Sequence, residues 1–288
     1  MNIAANTTIL KVGNNEKGAL LFPDVVYVTR NGVDLHLRIL TPYEFSQDAK
    51  YPLIVFVQGS AWFKQDLNTN LTVLSFFVQR GYVIAIVEYR HNGIAPFPAQ
   101  VQDTKTAVRF MKKNAGVYGI DPENVYLWGD SSGGHTVLLA GITDDVFFDT
   151  DVYKEYDCTV KGIIDFYGVT DITEKYDFPT TPNHLQASSP AGLFLGGISV
   201  TDNMDLARKS VIMNFISEDK DIPPIFIVHG TSDNIVSIHQ SEVLYEKLVQ
   251  CGKKAEFHAI EGGGHGSGQI WTERMFDNIE AFFFGKEL

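Results

Sequence analysis

The tightest constraint on this chain is the pentapeptide Gly129-Asp130-Ser131-Ser132-Gly133, a G-x-S-x-G pattern, together with what stands on either side of it. Asn124 to Trp128 alternates apolar and bulky side chains, as a short buried strand does. Gly134 to Ile142 is small and apolar, as a helix packed closely on a sheet must be. A strand that turns sharply through Ser131 into a helix leaves no room for side chains at the flanking positions, so both are glycine. The turn lifts the serine hydroxyl out of the sheet and aims it at a bound acyl group. Glycine spacing selects Ser131 over Ser132, whose neighbours at the same offsets are Asp130 and Gly134. Alone, the pentapeptide would also suit a polar loop; the flanking strand and helix, and the partners below, separate the two readings.

Bulk properties narrow the field. The 288 residues suit one large α/β domain spanning 1–288, with room for modest insertions. A formal net charge of -12 argues against a nucleic-acid partner, because phosphate binding needs basic surface. The longest apolar runs, Pro52 to Val57 and Pro223 to Val228, are strand-sized and too short to span a bilayer. Met1 to Asn15 has no charged start followed by an apolar stretch, so no secretory signal is predicted and the expected location is cytoplasmic. Cys158 and Cys251 fit reduced, buried thiols and lack metal-ligand spacing. No metal or organic cofactor is expected.

Strands and helices alternate along the chain. Val25 to Arg30 and Val33 to Thr41 alternate around Asn31-Gly32, a hairpin signal. Leu53 to Val57, Tyr82 to Val87, Val160 to Phe166, Ile225 to Val228 and Ala255 to Ile260 read as further strands. Asn70 to Gln79, Pro98 to Asn114, Ile238 to Gln250 and Gln269 to Phe284 read as helices. An antiparallel start followed by this alternation predicts a mostly parallel central sheet with antiparallel N-terminal strands and helices on both faces. Ligands on such sheets bind beyond the carboxyl ends of the strands.

A serine hydroxyl needs a base to accept its proton, and imidazole suits that task near neutral pH. Of the eight histidines, His265 is the best placed, in Glu261-Gly262-Gly263-Gly264-His265-Gly266 directly after the last predicted strand. His258 lies within that strand, and His135 on the helix after the elbow. The base needs an acid to fix its tautomer. Asp233 follows Ile225 to Val228 through His229-Gly230-Thr231-Ser232, and Asp171 is the rival. The oxyanion of a tetrahedral intermediate needs backbone N–H donors, each worth about 10²–10³ in rate. Ser132 is expected to supply one, and Ser60 and Ala61, in the loop Gln58-Gly59-Ser60-Ala61-Trp62, the others.

These residues resemble the α/β-hydrolase superfamily, whose catalytic order is serine, acid, histidine. More narrowly they resemble the carboxylesterases grouped with hormone-sensitive lipase and the small acetyl and feruloyl esterases. Gly-Asp-Ser-Ser-Gly-Gly at 129–134 is similar to that group's Gly-Asp-Ser-Ala-Gly-Gly. His229 to Val236 matches its acid loop, Gly263 to His265 its base loop, and Tyr89-Arg90 with the stretch to Asp103 is similar too. The resemblance runs from about Val25 to Phe284 and implies the α/β-hydrolase fold and a serine carboxylester hydrolase acting through an acyl-enzyme. One departure stands out: the family usually has His-Gly-Gly-x-Trp where this chain has Gln58-Gly59-Ser60-Ala61-Trp62.

Two stretches, 143–157 and 170–222, are long enough to cover a substrate. Trp62 and the aromatics of the second, including Tyr176, Phe178 and Phe194, are candidates to line an acyl or aryl pocket. Neither stretch resembles the long apolar lid of a lipase, so a short-chain or aryl small-molecule ester is the expected substrate. Aryl formamidase or small-peptidase activity on the same scaffold is an alternative, as is a ligand-binding protein without catalysis.

Overall fold

The computed structural model describes residues 7–9, 18–43, 50–175, 177–181 and 183–286. Most of the N-terminal segment read for a signal, and Tyr176, lie outside the described residues. A hairpin comes first, β1 (Ala19–Arg30) and β2 (Val33–Pro42), with φ angles of 51° at Asn31 and 80° at Gly32. Asparagine and glycine reach that region at least cost, and the turn fixes the register Arg30↔Val33. β1 begins six residues before the alternating pattern does. Its register shifts between Phe22 and Val25, so Pro23 sits at an irregularity of an edge strand, where the missing N–H costs no ladder bond.

Alternation follows: β3 (Tyr51–Val57), α1 (Leu71–Gln79), β4 (Val83–Val87), α2 (Ala99–Lys113), the single turn α3 (Ala115–Tyr118), β5 (Ile120–Asp130), α4 (Ser132–Ile142) and β6 (Gly162–Phe166). Two short helices, α5 (Pro190–Phe194) and α6 (Met204–Arg208), precede β7 (Ile225–Gly230), α7 (His239–Gln250), β8 (Ala255–Ile260) and α8 (Glu273–Phe284). The last helix starts four residues later than predicted, because the Thr272 hydroxyl accepts from the Met275 N–H and caps it there. All eight strands join one sheet in the order β1-β2-β4-β3-β5-β6-β7-β8. The pairs β1/β2 and β2/β4 are antiparallel, and every later pair is parallel.

Strand periodicity splits the core in two. Leu53, Val55 and Val57 point into one cluster with residues of α2, α4 and α7. Ile54 and Phe56 point into the other, against α1 and α8. A continuous apolar run is what a strand buried on both faces requires. Trp128, one residue before the elbow, is fully buried among Phe56, Phe77, Phe166, Trp271 and Phe276.

The two long stretches differ in placement. Residues 143–157 run along α2: Lys105 bonds the Thr143 carbonyl, Arg109 pairs with Asp149, and Lys112 reaches Asp157 at 2.6 Å. Tyr153 donates to the Tyr27 carbonyl of β1 at 2.9 Å. This stretch therefore braces a helix, while its Phe147 and Phe148 pack on Phe97. The described part of 170–222 leaves the carboxyl end of β6, where Phe194 stacks on Trp62 at 4.2 Å, and returns through Lys220 and Ile222 to the amino end of β7.

Emptying the Trp128 site leaves a large cavity among five packed rings. Trp128→Ala is expected to lose about 3–5 kcal/mol of stability, read by urea denaturation.

Candidate active site

Ser131 holds φ 53° and ψ −125°, a region that residues with a Cβ seldom enter. Three contacts enforce it. The Ser131 N–H donates to the Phe166 carbonyl at 2.9 Å. A Cβ built on Gly129 would lie 2.3 Å from the Gly133 carbonyl oxygen, and one on Gly133 only 2.0 Å from that of Val57. Both glycines are thus steric requirements of a turn pressed against the end of β3.

The loops after β7 and β8 bring their candidates to this hydroxyl. His265 Nε2 lies 2.9 Å from Ser131 Oγ, and His265 Nδ1 lies 2.7 Å from Asp233 Oδ2. Burial works against ionisation of Asp233. Hydrogen bonds from His229 and His265, with the Ile235 N–H, outweigh it and hold the carboxyl well below the usual carboxylate range. An ionised Asp233 accepts only, so Nδ1 carries the imidazole proton and Nε2 is free to accept from Ser131. That is the tautomer a general base needs.

Sequence reasoning missed two groups that brace this arrangement. His229 is fully buried on β7, with Nε2 3.3 Å from Asp233 Oδ2 and 3.0 Å from the Val236 carbonyl, and Nδ1 2.7 Å from Ser241 Oγ. Asp130, inside the elbow motif, accepts from the Gly59 N–H at 2.9 Å and from the Tyr167 hydroxyl at 3.2 Å. Burial pushes Asp130 up to about 6, against the pull of those donors and of the His265 charge. Position is the signal for both: each is adjacent in sequence to a strand end that carries a catalytic candidate.

The oxyanion loop differs in part from expectation. The Ser60 N–H is not free; it donates to Ser132 Oγ at 2.9 Å. Gly59 is taken by Asp130, and Trp62 donates to Ser132 Oγ at 3.2 Å. The N–H groups of Ala61 and of Ser132, the first residue of α4, are the ones with no protein acceptor among the described residues. Two of the three expected donors therefore remain, and the hydroxyl of Ser132 explains the loss of the third.

Other candidates are placed elsewhere. Trp62 is buried between Phe194 and His135, and Phe178 packs half-buried on His184 at 4.3 Å. Asp171 is occupied by Thr173, His258 pairs with Glu256 at 2.6 Å, and His135 Nε2 is 2.9 Å from the Ser210 carbonyl. Cys251 is buried and Cys158 half-buried, both unpaired. A cavity of about 530 Å³, lined by Lys105, Thr143, Cys158 and Pro224, opens at the opposite end of the strands from Ser131. Among the described residues no helix is long and apolar enough to cross a membrane, and no group of His, Cys, Asp and Glu is placed to hold a metal ion.

The sequence profile of the BD-FAE family matches residues 37–248, which take in the elbow and Asp233. This chain belongs to the BD-FAE family. It is 28% identical over 231 residues to the probable carboxylic ester hydrolase LipM of Mycobacterium tuberculosis, covering 78% of this chain and 51% of that protein. It is 25% identical to the probable isoprenylcysteine alpha-carbonyl methylesterase ICMEL1 of Oryza sativa, covering 82% and 54%. The chain thus spans about half the length of these relatives. Among solved structures, a truncated carbohydrate esterase from gut microbiota superposes with a TM-score of 0.81 at 26% identity, over 95% of this chain and 98% of that one. Esterase 2 of Thermogutta terrifontis, at 21% identity and a TM-score of 0.71, covering 93% and 96%, shares the α/β-hydrolase fold.

One carboxyl beneath this site has no part in the triad. Asp165, on β6 beside Gly129 of β5, is fully buried against Gly134 and Gly168. Burial pushes it up to about 8, opposed by the Gly168 N–H and reinforced by the Asp130 charge. A folded-state value above the ordinary 3.8 means that folding retains the proton. Its stabilising contribution is complete below about pH 4 and is lost as pH rises through about 8. Thermal and urea unfolding between pH 5 and 9 should show wild type losing on the order of a few kcal/mol relative to Asp165→Asn as pH rises. Parallel curves for the two proteins would contradict this.

Proposed function

We propose that this chain is a serine carboxylester hydrolase acting on short-chain or aryl esters through an acyl-enzyme. The observation that carries the reading is the hydrogen-bonded run Ser131–His265–Asp233, with a donor-ready Nδ1 and an acceptor-ready Nε2. Membership of the BD-FAE family and the esterase names of its relatives support it. Ser131 Oγ attacks the ester carbonyl while His265 Nε2 takes its proton, and Asp233 stabilises the imidazolium. The N–H groups of Ser132 and Ala61 receive the oxyanion. His265 then passes the proton to the departing alcohol, leaving an acyl group on Ser131. Water, deprotonated by the same imidazole, releases the acid and restores the serine.

The alcohol side is proposed to be a carbohydrate. A carbohydrate esterase superposes along nearly its full length. A bifunctional GH43-CE protein of Bacteroides eggerthii aligns over 91% of this chain at 26% identity, with a TM-score of 0.78 and 37% of its own length covered. The His265 side chain, 17% accessible above a buried Asp233 carboxylate, suits an ester on a bulky alcohol.

Hydrolysis of p-nitrophenyl esters from acetyl to dodecanoyl, and of methyl ferulate, tests the reading. Wild type should turn over the short or aryl members, and Ser131→Ala should lose about 10⁴-fold or more in kcat. Equal rates for the two proteins would refute the mechanism.

A further inference from the structure

The side chain of Ser132 does more in this structure than follow the nucleophile. Its Oγ accepts from two amides of the loop after β3, Ser60 at 2.9 Å and Trp62 at 3.2 Å. Between them lies Ala61. Ala61 has φ 52° and Trp62 φ 59°, a left-handed backbone that residues bearing a Cβ hold only under restraint.

A hydroxyl oxygen offers two acceptor lone pairs and one proton. The two amides use the lone pairs of Ser132. The Tyr89 hydroxyl is buried beside the same loop. Tyr89 lies 2.9 Å from Ser60 Oγ, and Ser60 sends its own proton to the Phe63 carbonyl at 2.7 Å. Donation therefore runs from Tyr89 to Ser60 to Phe63, which fixes the side chain of the residue whose amide Ser132 holds.

We propose that the Ser132 hydroxyl is a positioning residue of the oxyanion hole, clamping the amides on either side of Ala61 so that the Ala61 N–H faces the reacting carbonyl. The inference rests on reading Ser131 as the nucleophile. Ser132 then serves twice, giving one donor from its backbone and aiming the other through its side chain. It replaces the Ser60 donor that it consumes with a loop held in a single conformation.

Wild type, Ser132→Ala, Tyr89→Phe and Ser131→Ala should be compared on p-nitrophenyl acetate. Each should also be titrated with an aryl trifluoromethyl ketone, which adds to the serine and places its oxyanion in the hole. In folded Ser132→Ala, kcat should fall about 10- to 100-fold with KM within about twofold, and ketone affinity should fall in proportion. Tyr89→Phe removes one oxygen from a buried ring and should move both quantities the same way by about 3- to 10-fold. It also carries the test if Ser132→Ala does not fold. Values of kcat and ketone affinity within about twofold of wild type in either folded variant would overturn the proposal. Failure of the underlying reading looks different: Ser131→Ala would then keep wild-type turnover.

Discussion

The site depends on how closely the elbow approaches the end of β3. Gly133 stands so near the Val57 carbonyl that a single methyl group would overlap it, and Gly129 is pressed against Gly133 in the same way. This contact fixes the backbone of Ser131 at positive φ and brings the start of α4 beside the loop that follows β3. The proposed nucleophile and the proposed oxyanion donors are therefore placed by one packing event. Asp130 strengthens it by holding the Gly59 N–H, and Ser132 by holding those of Ser60 and Trp62. A core of Trp128 and its aromatic neighbours lies under the turn and supplies the burial that offsets the strained backbone.

Burial works against ionisation of both Asp233 and Asp165, yet the two carboxyls end in opposite states. Asp233 is removed from water yet stays ionised, because His229, His265 and two backbone N–H groups surround it with donors. Asp165 has no such set and keeps its proton into the neutral range. Asp130 lies between these cases. The donors around Asp233, set against the deeper enclosure of Asp165 with few donors of its own, separate the two carboxyls.

Much of this was legible beforehand, for identifiable reasons. Apolar runs at β3 and β7 mark strands buried on both faces, and Asn31-Gly32 marks the hairpin, because few residues tolerate those φ angles. Ser131, Asp233 and His265 were readable as a set because each follows a strand. What escaped depends on side chains that meet only in three dimensions. His229 looks like an ordinary residue of the acid loop until the fold turns it onto Asp233. The hydroxyl of Ser132 gives no hint in sequence that it will occupy the Ser60 amide. Trp62 and Phe178, candidates for a pocket wall, pack against Phe194 and His184, contacts that their spacing in sequence does not announce. α3, α5 and α6 are too short to show a helical period.

The most direct measurement is mass spectrometry of the folded protein after reaction with an aryl fluorophosphonate. The account predicts one adduct per chain, on Ser131 within the peptide that contains Gly129 to Gly133, with labelling slowed strongly in His265→Ala. An adduct on another residue, or none on well-folded protein, would contradict the assignment of Ser131 as an activated nucleophile.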